Sequence, residues 1–353
     1  MGRRVLFDAL AARYGGGAYA AIQLARKLAA TPDVAELVVV ARRGSIVQRG
    51  LVGDEAVRCI VVNAAPRMEL IRRIAWQVGR LPSLVRRERC DVVLTMSWLP
   101  RRPPGARVVC LLGNPVMYET STGANLLRRW AVRRTAREAT YLAAPSGLMA
   151  GLVSSSVGRP CAVLPWGVDH GVFSPATTAG SEILCVGDFY AHKRHDLLID
   201  AWLLLRAPRP VLRLVGNPDV DPEAHGRLIT RIAKLSQAGS IELEYRVSRE
   251  RLVRAYRGAR VFVVASEHES FCMPLAESMA CGVPAVVRAI DSLRETASAG
   301  ARYVDSDDPA RWAAAIEALI DDDAEHDRAR KLAIDAAARF SWERCAATLA
   351  AQL

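Results

Sequence analysis

The sequence predicts an α/β protein of two Rossmann-like domains, each a parallel sheet with helices between its strands. Three observations predict it. Short runs of apolar and β-branched residues recur along the chain, separated by stretches with helical apolar spacing; that alternation builds parallel sheets. The 353 residues exceed one comfortable core, so two domains of roughly 150–200 residues are expected. A stretch rich in Gly, Pro and Ser, Leu164 to Pro175, interrupts the alternation as a linker does. It sets the expected domains at 1–168 and 169–339.

In the first half, Arg3–Asp8 reads as a strand. Arg13-Tyr-Gly-Gly-Gly-Ala-Tyr-Ala20 follows as a glycine-rich loop, then an amphipathic helix to about Ala30. Further strands are expected at Glu36–Ala41, Val57–Val62, Cys90–Thr95, Arg107–Leu112 and Thr140–Ala144. Met68 to Arg89 sets Arg72, Arg73, Arg80, Arg86, Arg87 and Arg89 among apolar residues at helical spacing. Leu126 to Arg137 repeats the pattern, with Arg128, Arg129, Arg133, Arg134 and Arg137 around Trp130. Each stripe is a solvated helix face or a surface for an anionic membrane.

The second half opens with strand Glu182–Val186, the loop Gly187 to Arg194 and a helix from His195 to about Leu205. Strands at Val211–Val215 and Ile241–Tyr245, a helix at Arg249–Gly258 and a strand at Val261–Ala265 follow. Pro274 then suits the first turn of a helix, while Gly282 and Pro284 suit its end. Strand Ala285–Val287 precedes Asp291-Ser-Leu-Arg-Glu-Thr296. Helices are expected at Pro309–Ile320, at Ala324–Phe340, and from Phe340-Ser-Trp-Glu343 onward.

Composition narrows the function. No window approaches 18 uninterrupted apolar residues, so no transmembrane helix is expected. The start, Met1 to Asp8, fits a first strand better than a signal peptide, because Asp8 interrupts its apolar run. Eight cysteines occur singly, without CxxC pairs, which points to reduced thiols in a cytoplasmic protein and no zinc site. The net charge of +11 is uneven: residues 1–165 carry 25 Arg or Lys against 10 Asp or Glu. An anionic partner for that half is expected, or an arginine-biased genome. Nucleic acid is disfavoured, since no zinc finger, RNP or helix-turn-helix pattern occurs. The membrane face, or a lipid-phosphate acceptor, fits better.

The most informative stretch runs from Ala265 to Pro284. Glu269 lies on its loop and Glu277 about one turn into its helix. A helix N-terminus offers unpaired amides and partial positive charge, here around Phe271, Cys272 and Met273, and so suits a phosphate. A carboxylate one turn further in repels phosphate and suits a diol such as ribose. The layout suits a sugar nucleotide.

These residues resemble the E-x7-E motif of retaining family-4 glycosyltransferases of GT-B fold. Glu269 and Glu277 are separated by seven residues, and Ser-Phe-Cys-Met-Pro with Met-Ala-Cys-Gly-Val-Pro surrounds them as in that family. Leu164 to Pro175 resembles its PxGVDxxxFxP crossing, Gly187 to Arg194 its GRLxxxKG segment, and Asp291–Thr296 a loop in which an acid follows the cleft. The resemblance implies two domains facing a central cleft, a nucleotide-sugar donor on the second and the final helix packed back on the first. It implies that Lys193 grips the diphosphate, that Glu269 and Lys193 are catalytic, and that Gly187, Ser270, Phe271, Cys272, Met273 and Glu277 bind substrate. Gly15, Gly16 and Gly17 would let backbone approach acceptor or phosphate. It implies front-face transfer to a glycan or lipid-linked acceptor, without metal or cofactor; Asp321-Asp-Asp323 reads as a solvated turn.

The chain departs from the pattern at three points. Asp188 stands where the family has Arg, which leaves the phosphate charge less neutralised or calls in Arg194 or Arg288 instead. Cys272 replaces a Gly. A cleft His has no counterpart: Gly113-Asn-Pro115 occupies its place, with Asn114 the nearest polar substitute. A catalytically silent scaffold of the same fold therefore stays open. So does an NADP-dependent oxidoreductase, since Gly15-x-Gly17-x-x-Ala20 matches a dinucleotide fingerprint and Arg42-Arg43 follows the second strand.

Overall fold

The structure, a computed structural model, describes residues 2–12, 15–63, 69–114, 123–178, 180–235 and 240–353, with backbone alone at 69–71 and 123–129. Met1, Arg13, Tyr14, Met68, Pro115 and the side chains of Arg128 and Arg129, all named above, lie outside the described residues. The chain divides into two compact units, Met1–Gly167 with Trp342–Leu353, and Val168–Ser341.

The first unit runs β1 (Arg3–Asp8), α1 (Gly15–Ala29), β2 (Val34–Arg42), α2 (Ile46–Leu51), β3 (Arg58–Val62), α3 (Glu69–Gly79), α4 (Leu81–Arg87), β4 (Val92–Thr95), β5 (Arg107–Leu111), α5 (Gly123–Glu138), β6 (Tyr141–Ala144), α6 (Gly147–Val157) and β7 (Ala162–Val163). Its strands pair in the order β3-β2-β1-β4-β5-β6-β7, all parallel. Val5 pairs with Leu37 on one side and Val92 on the other. Helices cover both faces of such a sheet, so its strands are apolar along their whole length; Leu6, Val40, Val93 and Cys110 share one buried core.

Two local features differ from the sequence expectation. The three glycines open α1 and do not form a loop before it, with Gly15 in the left-handed region at φ +57°. The single helix expected over Met68–Arg89 is two, because Pro82 in the first turn of α4 offers no amide to continue α3. The buried Asp8 at the end of β1 accepts from Gln77 Nε2 at 2.6 Å and from the Leu10 amide at 3.1 Å. The Gln77 bond ties α3 to the end of β1.

The second unit runs β8 (Glu182–Val186), α7 (His195–Leu204), β9 (Leu212–Gly216), α8 (Pro222–Ala233), β10 (Ile241–Tyr245), α9 (Arg249–Gly258), β11 (Ala259–Val264), α10 (Met273–Ala280), β12 (Ala285–Arg288), α11 (Asp291–Ala297), β13 (Ala301–Val304), α12 (Pro309–Ile320) and α13 (Asp323–Ala337). The strand order is β10-β9-β8-β11-β12-β13, again all parallel. Asp291–Thr296, expected as a loop, is helical; Leu293 and Ala297, one turn apart, are buried on one face. Asp321-Asp-Asp323 serves the helices: Asp322 caps α13 through the Glu325 amide, Asp321 pairs with Arg206 and Asp323 with Arg260. In β9 the buried Arg213 pairs with Glu182 of β8 at 2.6 Å and Glu242 of β10 at 2.5 Å, cross-linking three strands.

The last helix, α14 (Trp342–Ala350), belongs to the first unit. Trp342 is buried and meets Tyr19 of α1 edge-on at 6.3 Å, and Lys27 pairs with Glu343 at 2.6 Å.

Candidate functional site

In the second sheet the strand order reverses between β8 and β11, so the loops leaving these neighbours diverge and open a crevice at their carboxyl ends. The loop after β8 carries Gly187 to Lys193; the loop after β11 carries Ala265 to Cys272. The amide of Glu267 donates to the His192 carbonyl at 2.9 Å and ties the two together.

Lys193 and Glu269 meet in that crevice. Lys193 Nζ donates to Glu269 Oε1 at 2.6 Å, with side chains 18% and 10% exposed. Burial alone would lower the Lys193 pKa, but the attraction of Glu269 outweighs it and holds the ammonium above its ordinary value. The Lys193 stem lies over Gly187, where an added Cβ would meet Cδ at 3.7 Å. Around the pair, Tyr190 stacks on His192 at 5.3 Å, and His268 lies 6.1 Å from His192. Burial, then the nearby Lys193 charge, lowers the His192 pKa.

The Asp188 carboxylate accepts the Asn217 amide at 3.2 Å, and burial raises its pKa. It braces the loop after β9. The two cations expected to compensate are engaged elsewhere: Arg194 pairs with Glu267 at 2.8 Å and Asp307 at 3.2 Å, and Arg288 with Asp307 at 2.6 Å.

Helix α10 begins at Met273, with Pro274 in its first turn and Cys272 before it at φ +62°. The Leu275 and Ala276 amides return to the Cys272 carbonyl at 3.0 and 3.3 Å. Phe271, Cys272 and Met273 are buried, whereas Ser270 is half-exposed. Phe271 packs edge-on against Phe340 at 4.9 Å, and its carbonyl accepts from the Thr296 hydroxyl at 2.5 Å. The side chains of Phe271, Cys272 and Met273 thus build the core.

Glu277 is 6% exposed and turned toward α9, where Tyr256 donates its hydroxyl to Oε2 at 3.0 Å. Burial pushes the Glu277 pKa up to about 7, against the Tyr256 bond and the Arg249 charge. Tyr256 was not evident from the sequence, because an aromatic in a helix reads as core until its hydroxyl is placed. Backbone strain was equally hidden. Arg194, Arg246 and Cys272 hold φ of +53°, +47° and +62° in the loops at this end of the sheet. Such a conformation costs a non-glycine residue about 1–2 kcal/mol, and strain of this kind collects at functional sites. The only available signal was the pattern GRLxxxKG and the Gly-for-Cys272 substitution, which place glycine at two of the three.

Gly15, Gly16, Gly17 and Asn114 lie in the first unit. A Cβ on Gly17 would meet nothing within 4 Å, so packing within the chain does not demand glycine there. Asn114 is exposed after β5, beside Gly113, whose Cβ position lies 3.1 Å from Trp166. Among the described residues no three His, Cys, Asp or Glu side chains converge as a metal site needs. No described helix is long and apolar enough to cross a membrane.

Residues 175–336 match the family described as Glycosyl transferases group 1, and residues 14–172 match Glycosyltransferase Family 4. The D-inositol 3-phosphate glycosyltransferase of Thermobispora bispora is 33% identical over 207 residues, 52% of this chain and 48% of that protein. Its counterpart from Geodermatophilus obscurus is 34% identical over 218 residues, 55% and 47% of the two chains. The matched stretch thus spans about half the length of these curated relatives. Among solved structures, sucrose-phosphate synthase from Thermosynechococcus elongatus superposes with a TM-score of 0.83 at 19% identity, over 98% of this chain and 97% of that one. Anabaena HepE in complex with UDP-glucose superposes at 0.81 and 17% identity, over 99% and 100%. At those identities the likeness is one of fold.

Proposed function

The chain belongs to the group 1 glycosyl transferases, with family 4 sequence in its first half, and we propose that it moves a sugar from a nucleotide-sugar donor to an acceptor hydroxyl with retention of configuration. The acceptor is a glycan or a lipid-linked carrier. The observation that carries the reading is the Lys193–Glu269 pair, set over Gly187 at the β8/β11 switch. Anabaena HepE, whose fold the chain shares, was solved with UDP-glucose, which supports a donor of this class.

The chemistry follows from charge. As the bond from the anomeric carbon to the diphosphate oxygen breaks, negative charge builds on the leaving group. The Lys193 ammonium and the backbone amides near Phe271–Met273 would receive it. The acceptor oxygen then bonds the anomeric carbon from the same face, and its proton passes to the leaving diphosphate. Glu269, held by Lys193, is a poor nucleophile, which supports front-face transfer over a covalent sugar–enzyme step. Glu277 would take the ribose diol through Oε1, since Oε2 serves Tyr256.

A thermal-shift screen against nucleotide sugars tests the donor; a ligand at a hundred times its Kd raises stability by about 2.7 kcal/mol. Donor hydrolysis with the shifting compound, and the anomeric configuration of the product by NMR, then test the chemistry. An inverted product would overturn retention. Donor binding without turnover would turn the assignment to a silent scaffold, the reading that Asp188 favours.

A further inference from the structure

We propose that Tyr256, with Arg249 behind it, is a positioning residue for the donor: it holds Glu277 turned toward the ribose and charged. This deepens the transferase reading and rests on its assignment of Glu277 to the ribose. Tyr256 of α9 and Glu277 of α10 are both buried. The Tyr256 hydroxyl donates to Glu277 Oε2 at 3.0 Å, which commits that oxygen and leaves Oε1 for the diol. The Tyr256 ring is itself fixed, because Phe173 and Phe262 each pack against it at 5.8 Å between centroids.

The backing comes from Asp169 to Phe173, part of the stretch that the sequence marks as a linker. The Val172 and Phe173 amides return to the Asp169 carbonyl at 3.0 and 2.8 Å, and this turn carries the buried Phe173 to Tyr256. The Asp169 carboxylate accepts from Arg249 Nη2 at 3.1 Å, and the Arg249 guanidinium lies over the Phe173 ring at 4.9 Å. Burial raises the Glu277 pKa to about 7, against the Tyr256 bond and then the Arg249 charge. Burial, then the Glu277 charge, holds the Tyr256 pKa well above its ordinary value, so the hydroxyl stays a donor. Cys272 and Cys281, at the two ends of α10, are kept neutral by burial. Charged groups on the elements around α10 are bonded elsewhere. Arg257 of α9 donates to Ser174, Arg330 of α13 to the Gly282 carbonyl, Arg260 of β11 to Asp323 and Arg288 of β12 to Asp307. Arg294 of α11 lies over the Tyr303 ring, and Glu269 pairs with Lys193. Glu277 is therefore balanced between its two forms near neutral pH, and one hydrogen bond decides how much of it is charged. A diol donates more strongly to a carboxylate than to a carboxylic acid, so donor affinity follows the charged fraction.

Carboxyl-carbon NMR titration of Glu277 and calorimetric titration with UDP test this on the full chain, as wild type, Tyr256→Phe, Arg249→Gln and Glu277→Gln. The last variant identifies the Glu277 resonance by its loss. Tyr256→Phe keeps the ring and removes the bond to the charged form, so the Glu277 midpoint should rise by at least about one pH unit, roughly tenfold in its acid constant. Arg249→Gln should raise it by less. UDP should bind Tyr256→Phe about tenfold more weakly at pH 7 and within about threefold of wild type at pH 9, where the carboxylate is charged in both. A Tyr256 that only fills the core would instead give a lower thermal midpoint with the same loss at both pH values, which overturns the proposal. An unmoved Glu277 midpoint overturns it too; that titration needs no ligand and decides the point whatever base the donor carries. If Glu277→Gln weakens UDP binding and Tyr256→Phe does not, this inference alone fails. If Glu277→Gln binds UDP as wild type does, the ribose reading fails and this inference falls with it.

Discussion

Lys193 and Glu269 neutralise each other in a crevice that excludes most water, and the two partners therefore have separable roles. Lys193→Ala strands a largely buried carboxylate, which costs about 3–5 kcal/mol. It also removes the cation that the leaving diphosphate needs, expected to lower kcat about 10²–10³-fold. Adding Glu269→Gln to Lys193→Ala removes the stranded charge and should restore the melting midpoint without restoring kcat. Steady-state kinetics and thermal melts on both variants check this. A double variant that regains activity together with stability would show that Lys193 only holds the fold.

Glu277 makes the opposite trade. Its pKa of about 7 lies above the ordinary carboxylate value, so folding favours the protonated form. That contribution is full below about pH 4 and is lost as pH rises through about 7. Glu277→Gln keeps an acceptor for Tyr256 and abolishes the titration. The variant should match wild type near pH 4–5 and exceed it by roughly 3 kcal/mol at pH 8. The same change should weaken donor binding by roughly 1.5–3 kcal/mol, the worth of a charge-assisted hydrogen bond. Denaturant melts across that pH range and donor titrations at pH 8 check the pair of effects. A wild-type–variant difference flat in pH would remove the buried-charge account.

At the scale of elements, the crevice depends on how β8 and β9 end. Gly216 closes β9 against the backbone of Gly187, where an added Cβ would lie 2.3 Å from the Gly187 carbonyl oxygen and 3.1 Å from the Phe189 ring. Gly216→Ala must push the β8 loop aside, at about 1–3 kcal/mol. Because Gly187 lies under the Lys193 stem, donor affinity should fall with stability. Gly17→Ala serves as a control for stability, since its Cβ meets nothing within 4 Å. Melting midpoints of the two variants give the comparison, and an unshifted Gly216→Ala would show that β8 yields at no cost.

At the scale of the whole molecule, charge is partitioned along the sequence. Residues 1–165 hold a surplus of 15 positive charges and the remainder a deficit of 4. The two arginine stripes do not form equivalent faces. Arg72, Arg73 and Arg80 line a cavity with Arg42, though Arg72 and Arg80 are also exposed; Arg86 and Arg87 on α4 and Arg133, Arg134 and Arg137 on α5 are exposed, with Trp130 58% exposed beneath Arg134. An anionic lipid surface is the proposed partner of the exposed set. Co-sedimentation with anionic vesicles should fall as salt rises, and equal pelleting with neutral vesicles would remove the electrostatic account.

The sequence by itself determined the alternation of strands and helices, because β-branched runs and helical periodicity are local. It determined α10 from Pro274 and Gly282, and marked Lys193, Glu269 and Glu277 through the resemblance of two short segments to family motifs. The helix at Asp291–Ala297 and the break at Pro82 were legible in principle but weakly signalled. Only the tertiary structure decided that Lys193 and Glu269, 76 positions apart, share one hydrogen bond, because parallel pairing of β8 with β11 sets their loops side by side. Likewise it decided that Glu277 is buried on Tyr256, that Arg194 and Arg288 are held by Asp307, and that β2 and α3 contribute arginines to one cavity. Each of these depends on which strands become neighbours. That choice is made by the burial of whole sheet faces, a property no short stretch of the chain carries.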